Sequence, residues 1–286
     1  MRHIIRHVTR YRYSAPITYS IQTLRLTPRQ DNHQHPLRWH IDAPGELTQQ
    51  ADAYGNVTHI LTLNGAHREI ELRVTGQVDV QPLHDGVVTG EDSRLPVEAF
   101  CVPTPLTQSD ETIRAFTADA LPRGLKTPGD GLALAGAIHE RVAYVPGITD
   151  VTTAAPQVLE MGHGVCQDHS HLFLACVHGL GLPARYVSGY LYTPNEHAAT
   201  HAWVDVWLQN HGWVSIDVTN HQFASDCHCR LAVARDYDSA SPVRGVRIGG
   251  GEESMMVDVQ VDSGPPQSQH QSQHSGFGQS QSQSQV

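Results

Sequence analysis

The sequence of 286 residues predicts an α+β protein, in which a β-rich N-terminal domain precedes a core of helices followed by a sheet. Three observations carry this prediction: short alternating apolar and polar runs from His3 to Val80, helical periodicity after residue 109, and strand-like segments after Pro183. Alternation with a period of two is typical of half-buried strands, whereas a 3.6-residue period is typical of helices. An apolar content of 39% supplies a core, and 17% charged residues is too few for a wholly disordered chain.

Residues 1–85 are predicted to form an antiparallel β-sandwich. Alternation is clearest in the runs 60–63 and 70–74, where apolar residues are interspersed with Thr, Glu and Arg. Turn signals separate such runs, namely Pro28, Pro36, Pro44-Gly45 and Tyr54-Gly55-Asn56. Residues 86–108 mix Pro, Gly, Asp and Ser with little periodicity, so we assign them to an interdomain linker.

Residues 109–263 are predicted to form the core, which begins with three helices. A helix-start signal at 109–112 precedes the first, and the second covers 130–142 before Pro146-Gly147 ends it. The third spans Gln167 to His178, and its unbroken apolar run indicates a helix buried on most sides.

Three strand-like segments follow these helices, at 185–192, 201–208 and 213–219. They complete the α+β core. The last segment, 264–286, repeats Gln and Ser with a few His, and such a composition buries too little apolar surface to order itself. We therefore predict a disordered Ser/Gln-rich tail.

Charge and cysteine content narrow the possible partners and compartment. The formal net charge is −10 and no segment concentrates Lys and Arg, which argues against general binding to nucleic acid or to an anionic membrane. No signal peptide or membrane-spanning run is apparent, so a cytoplasmic protein is expected. Five irregularly spaced cysteines form a poor disulfide framework, which directs attention to thiol reactivity. No sequence feature calls for a cofactor, and no EF-hand-like loop is present for calcium.

Cys166 is the candidate nucleophile. It follows Gly162-His-Gly164-Val and precedes the predicted third helix, so its sulfur lies near a helix N-terminus. The free amides and the positive end of the helix dipole favour the thiolate there, which is the nucleophilic form. The alternative is that Cys166 is a small buried hydrophobe, an interpretation that suits Cys176 better because that residue lies in mid-helix among apolar neighbours.

A thiol nucleophile also needs a base and a group that orients this base. In the strand 201–208, alternation places His201 on the face opposite the aliphatic residues, which distinguishes it among the 20 histidines. The turn 209–212 returns the next strand antiparallel and brings Asp217 back towards His201. A tight two-residue turn would instead place Asn220 opposite His201. Spacing alone therefore leaves both Asp217 and Asn220 open.

Two alternatives use other parts of the sequence. Cys227-His-Cys229, near Asp226, suggests a zinc-binding or scaffold module without catalysis, although neighbouring strand residues point in opposite directions and no Cys-x-x-Cys pair completes such a site. The Gln-rich tail suggests an acyl donor to the protein's own active site, against the simpler interpretation of a solvated tail. Three histidines close to the thiol in sequence, His163, His169 and His171, are candidates for tuning it or for contacting substrate.

Three sequence blocks stand out together. They are Gly164-Val-Cys166-Gln-Asp168 with the later Gly181-Leu-Pro-Ala-Arg185, the block His201-Ala-Trp-Val-Asp-Val, and the block Gly212-Trp-Val-Ser-Ile-Asp217. In this order they closely resemble the cysteine, histidine and aspartate blocks of the transglutaminase-like superfamily. Residues 3–80 resemble the β-rich N-terminal region found with bacterial transglutaminase-like proteins, and residues 235–247 resemble the segment that follows the core in the same group.

The resemblance implies a papain-like core, with helices packed on an antiparallel sheet, and a catalytic triad. It makes Cys166 the nucleophile, His201 its partner and Asp217 the orienting acid, and so favours Asp217 over Asn220. Val218 departs from the proline that is common after this aspartate. The implied activity is that of a cysteine peptidase or amidase acting through a thioester on peptide or protein amides, with protein-glutamine transamidation as the alternative. Tyr144 is a candidate for supplying a second oxyanion donor beside the backbone N–H of Cys166.

Overall fold

The computed structural model describes residues 1–90, 94–194 and 199–264, and it confirms the predicted α+β class. An antiparallel β-sheet region comes first, and helices packed on a second antiparallel sheet follow. Within the described ranges the strands are β1 (Arg2–Leu24), β2 (Gln34–Asp42), β3 (Leu47–Ala51), β4 (Val57–Val80), β5 (Val87–Val88), β6 (Ala143–Tyr144), β7 (His163–Gly164), β8 (Ala184–Leu191), β9 (Ala199–Leu208), β10 (Gly212–Asp217), β11 (Gln222–Phe223), β12 (His228–Ala234), β13 (Val243–Gly249) and β14 (Glu253–Gly264). The helices are α1 (Glu111–Ala120), α2 (Pro128–Arg141), α3 (Ala155–Met161), α4 (Cys166–Gly179) and α5 (Tyr237–Ala240), with a 3-10 turn at Val97–Cys101.

The N-terminal sheet is built on the two long strands β1 and β4. They pair antiparallel along most of their lengths, with register interruptions between Arg12 and Tyr19. On one side of this interruption the strand order is β14, β1, β4, β2, and on the other side it is β13, β1, β4, β3. One sheet is thus divided into two four-stranded halves.

The two halves pack against each other, so that a single sheet supplies both layers of the predicted sandwich. The indole Nε1 of Trp39, on β2, donates a hydrogen bond of 2.9 Å to the carbonyl oxygen of Leu26, just beyond the far end of β1. One apolar cluster combines Ile70 and Leu72 from the first half with Leu61 from the second. Alternate residues of both long strands are buried in this way, as the period of two predicts.

The core sheet has the strand order β11, β10, β9, β8, β12, and α4 packs against β8 and β9. Every residue of α4 from Asp168 to His178 is buried, which confirms the helix predicted to be covered on most sides. The continuous apolar run 172–177 leaves no polar face along this stretch, so a buried position is the stable one. This burial fixes the N-terminus of α4, and with it Cys166.

Part of the predicted linker 86–108 belongs to the core instead. β5 pairs with Trp213 and Val214 on β10. Phe100, in the 3-10 turn, packs edge-on against the indole of Trp213 at a ring-centroid distance of 5.3 Å. The segment contributes too few residues to each contact for any periodicity to show in the sequence.

The predicted core boundary of 109–263 also needs correction at its end. β13 and β14 pair with β1 and complete the N-terminal sheet, because β1 would otherwise expose a long unpaired edge. Gly264 is the last residue of β14, and the rest of the predicted tail lies outside the described residues. Within the described ranges, no helix is long and apolar enough to cross a membrane.

Candidate active site

Cys166 is the first residue of α4, as the sequence predicts, and its side chain is partly exposed. The first main-chain bond of the helix runs from the N–H of His169 to the carbonyl of Val165 at 3.0 Å. The amides that precede it, including that of Cys166, therefore have no carbonyl partner within the helix. Asp168 stabilises the turn, because its Oδ2 accepts hydrogen bonds from the N–H of Val165 at 2.7 Å and from the hydroxyl of Thr149 at 2.6 Å.

The hairpin of β9 and β10 brings His201 to Asp217, and its register differs from the predicted tight turn by one residue. Trp213 lies opposite Trp207, whereas the tight turn placed it opposite Leu208. The loop contains three residues and ends at Gly212, whose φ of 79° lies in the left-handed region. Since side chains alternate between faces, this one-residue difference moves Asp217 to the face that carries His201. No bulge is needed between them.

His201 lies between Asp217 and Cys166. Its Nε2 donates to Oδ2 of Asp217 at 2.9 Å, and the ring is stacked on Trp203 with 27° between the planes. Burial alone would lower the pKa of His201, but the hydrogen bonds with Asp217 and with Cys166 outweigh it and raise this pKa to about 10. The imidazole is thus held in its charged form at neutral pH, with Nδ1 left for the thiol.

Asp217 is fully buried, and its carboxylate accepts three hydrogen bonds besides the one from His201. Nε2 of His228 donates to its Oδ2 at 3.0 Å, and the amide of Asn220 donates to the same oxygen at 2.7 Å. The main-chain N–H of Asn220 reaches Oδ1 at 3.2 Å. Burial would raise the pKa of Asp217, but the hydrogen bonds from the two histidines and the charge of His201 hold it well below its usual range.

Asp217 and Asn220, the two residues that spacing left open, therefore both belong to the site. Asp217 contacts His201 directly, while Asn220 holds the carboxylate of Asp217 in place. His228 was absent from the predicted site, although it lies inside the Cys227-His-Cys229 motif. β11 and β12 occupy opposite edges of the core sheet, so the chain between them crosses the end of the sheet and carries His228 to Asp217. Only the strand order reveals this contact.

His201, Asp217 and His228 also have ligand atoms within 4.8 Å of one another, close enough for a metal ion. The hydrogen bonding of His228 disfavours that use. Its Nδ1 accepts from the N–H of Ser225 at 3.0 Å, so its proton is on Nε2, the atom that a metal would require. Metal-binding histidines instead donate from their second nitrogen. We therefore interpret the group as a hydrogen-bonded acid and two imidazoles.

The directions of the side chains disfavour the zinc site considered for Cys227-His-Cys229. His228 faces Asp217, whereas Cys229 is packed with Tyr190 and Leu231 in a buried apolar cluster, because successive strand residues point in opposite directions. Burial raises the pKa of the Cys229 thiol. It also raises that of Cys176, to about 12, in agreement with its interpretation as a buried hydrophobe.

The three histidines near the thiol in sequence have separate environments. His163 bonds the carbonyl of Met161, and His171 is fully buried and accepts from the N–H of Tyr237 at 3.1 Å. His169 links α4 to the segment beside the triad, because its Nδ1 lies 3.0 Å from the hydroxyl of Thr219. Burial lowers the pKa of both His169 and His171 to about 4, so neither supplies a positive charge to the thiol at neutral pH.

Two family models match the chain, and they fall on the two regions just described. The model for the bacterial transglutaminase-like N-terminal region matches residues 4–79. The model for the transglutaminase-like superfamily matches residues 117–218, which include Cys166, His201 and Asp217.

Similar proteins cover nearly the whole chain. An uncharacterized protein of Mycobacterium tuberculosis strain H37Rv is 32% identical over 92% of this chain and 93% of its own length. One from Mycobacterium leprae is 27% identical over 89% and 96%. The crystal structure of a "putative cysteine protease" from Cytophaga hutchinsonii superposes with a TM-score of 0.76 over 93% of this chain and 92% of its own, at 20% identity, and shows the same fold. The chain belongs to the transglutaminase-like superfamily and carries the bacterial transglutaminase-like N-terminal region.

Proposed function

We propose that the protein is a cysteine-dependent hydrolase of peptide or protein amides, with Cys166 as nucleophile, His201 as its proton-exchanging partner and Asp217 as the orienting acid. One observation carries the proposal. His201 donates through Nε2 to Asp217, and the sulfur of Cys166, at the N-terminus of a buried helix, is near enough to the imidazole to raise its pKa. A thiol, an imidazole and a carboxylate in this order form the arrangement that activates a sulfur nucleophile.

In the first step, the thiolate of Cys166 attacks the amide carbon and forms a tetrahedral oxyanion. The N–H of Cys166, which lacks an intrahelical acceptor, is the first donor to this oxygen in the proposal. The C–N bond then breaks as Nδ1 of His201 gives its proton to the leaving amine, which leaves a thioester. Water deprotonated by His201 attacks the thioester, the C–S bond breaks, the carboxylic acid is released, and the pair of thiolate and protonated His201 is restored.

The raised pKa of His201 fits the first step, since the imidazole must hold a proton to deliver to the amine. Asp217 does not take a proton from His201, because the pKa of Asp217 is held low and it remains a carboxylate throughout the neutral range. The net charge of −10 supports a substrate other than nucleic acid, and a cytoplasmic location remains part of the proposal.

Alkylation by iodoacetamide tests the nucleophile directly. We expect Cys166 to react faster at pH 7 than the other exposed thiols, and His201→Ala to slow this reaction at least tenfold at pH 7. Peptide mass spectrometry follows Cys101 and Cys227, both partly exposed, as controls in the same digest. If Cys166 reacts at the same rate as these two thiols, and without dependence on His201, the proposed triad is wrong.

Hydrolysis is then separated from transamidation by what resolves the thioester. Incubation of a peptide library with the enzyme in H₂¹⁸O should give cleaved peptides with the label in the new carboxylate, and none with Cys166→Ala. Addition of a primary amine should leave most product as the acid. Amine incorporation in preference to the label would overturn hydrolysis in favour of transamidation.

A further inference from the structure

Three large apolar side chains are exposed in the short segment that precedes the candidate nucleophile. Tyr144, Ile148 and Val151 have 54%, 52% and 54% of their surface exposed. Single exposed apolar residues are ordinary on protein surfaces, but three within eight residues require a reason. Between 144 and 151 the only charged residue is Asp150, so the segment presents little that would bind an ionic group.

The first end of this segment is fixed beside Cys166. β6 and β7 pair in parallel, so that Tyr144 lies opposite Gly164, two residues before Cys166. The N–H of Val145 donates to the carbonyl of Gly164 at 2.9 Å. The ring of Tyr144 also stands edge-on to His169, in the first turn of α4, with centroids 6.2 Å apart.

The second end is fixed to the same helix N-terminus. The hydroxyl of Thr149 donates to Oδ2 of Asp168 at 2.6 Å, and that oxygen also accepts from the N–H of Val165, the residue before Cys166. Asp150 closes the next turn by accepting from the N–H of Thr152 at 2.7 Å. The segment is thus attached both just before and just after the nucleophile.

We infer that Tyr144, Ile148 and Val151 form the wall that binds an apolar side chain of the substrate next to the amide under attack. This inference rests on the proposed function and adds a substrate class to it: peptides with a large apolar residue, rather than a charged one, on the acyl side of the scissile amide. Fixed apolar groups bind such a residue without first having to be ordered, and they offer no partner to a buried charge.

Peptidyl chloromethyl ketones test the wall without requiring turnover. Each probe alkylates the Cys166 sulfur with loss of chloride, and it carries either Leu or Asp at the residue that bears the reactive group. We expect the second-order rate of labelling to be at least tenfold higher for Leu than for Asp, the range that an apolar pocket gives. Ile148→Asn and Val151→Asn should each reduce this ratio several-fold.

A matched control comes from β13. Ile248 is similarly exposed, at 63%, but it lies in the N-terminal sheet, so Ile248→Asn should leave the Leu to Asp ratio unchanged. Iodoacetamide, which has no side chain to recognise, should label Cys166 at the same rate in all four proteins. Equal rates for the Leu and Asp probes in the wild type, or equal ratios in Ile148→Asn and Ile248→Asn, would overturn the apolar wall while leaving the nucleophile intact. A loss of the His201-dependent iodoacetamide reaction would instead remove the proposed function and the wall together.

Discussion

One buried oxygen of Asp217 accepts hydrogen bonds from two imidazoles and an amide. The other two donors fix the carboxylate that in turn orients His201. His201, His228 and Asn220 all donate to Oδ2, at 2.9, 3.0 and 2.7 Å. Hydrogen bonds to an ionised group contribute about 1.5–3 kcal/mol each, so no single donor fixes the carboxylate alone. His228 thus acts on the nucleophile through Asp217 and His201, as a positioning residue.

We predict that His228→Asn lowers kcat about tenfold with little change in KM. Asparagine is too short to place a donor at the position of Nε2, whereas His228→Gln keeps a donor there and should recover part of kcat. The variant also removes a hydrogen bond that lowers the pKa of Asp217, so this pKa rises while the carboxyl stays ionised at pH 7. Steady-state kinetics at pH 7 on the wild type and the two variants measure kcat and KM separately.

A buried histidine without contact to Asp217 provides the control for this prediction. His178 is 9% exposed, and its Nε2 bonds the carbonyl of Phe100 at 3.0 Å. His178→Asn should reduce stability and leave kcat close to the wild-type value. An equal loss of kcat in His178→Asn and His228→Asn, or no recovery of kcat in His228→Gln, would contradict the positioning role.

At the scale of elements, α4 and the β9–β10 hairpin differ in how far the sequence determines them. The apolar run 172–177 and the glycines around Cys166 specify a buried helix with the thiol at its start, and this much could be predicted. The relative position of His201 and Asp217 depends on one residue of loop length, since a slip by one reverses the face of every side chain. Gly212, with φ of 79°, fixes the three-residue loop, but glycine suits several turn types and so does not identify it in advance.

Gly212→Ala therefore tests whether the hairpin register supports the site. A Cβ there would meet only Trp207, at an ordinary 3.8 Å, so the cost is that of the left-handed backbone, about 1 kcal/mol of stability. We expect kcat/KM to fall three- to tenfold, because strain in the loop is relieved by movement of β10 and of Asp217. Urea unfolding and steady-state kinetics report the two quantities.

Gly124→Ala is the matched variant, since its φ is 75° and no atom lies within 4 Å of the added Cβ. It lies in the turn between α1 and α2, outside the hairpin. It should lose the same stability and keep full activity. If the two variants lose equal activity, the effect of Gly212→Ala reflects global stability and not the register.

At the scale of the whole molecule, the N-terminal region and the core are joined where two side-chain amides of the former, those of Gln34 and Asn56, bind the main chain of the edge strand β12. The side chain of Gln34 accepts from the N–H of Arg230 and donates to its carbonyl, both at 2.7 Å. Asn56 makes the same pair of bonds with Val233, at 2.9 and 2.8 Å. These amides take the place of a neighbouring strand and cover an edge that would otherwise be free to pair. Alternation within one strand predicts neither contact, because both link residues more than 170 positions apart.

The same junction contains His7, which predicts how the molecule responds to acid. Its Nδ1 lies 2.7 Å from the hydroxyl of Tyr190 on β8, and its Nε2 lies 2.8 Å from that of Thr9. Burial lowers the pKa of His7 to about 4, against 6.5 for an exposed histidine. Because the folded-state pKa is the lower one, the stabilising contribution is complete above pH 6.5 and is lost as pH falls towards 4.

We predict that His7 alone accounts for about 2 kcal/mol of the stability lost between pH 7.5 and pH 5, since each pKa unit corresponds to about 1.4 kcal/mol. His7→Asn should be less stable at pH 7.5, because the bond with Tyr190 is weakened. Its free energy of unfolding should fall less steeply as the pH decreases, because close to one proton fewer is taken up on unfolding. Urea unfolding at half-unit pH intervals measures this slope. His35→Asn, at an exposed position of β2, controls for the substitution itself. A wild-type slope in His7→Asn would show that His7 is protonated in the folded protein, and that water or rearrangement reaches the junction between the sheet and the core.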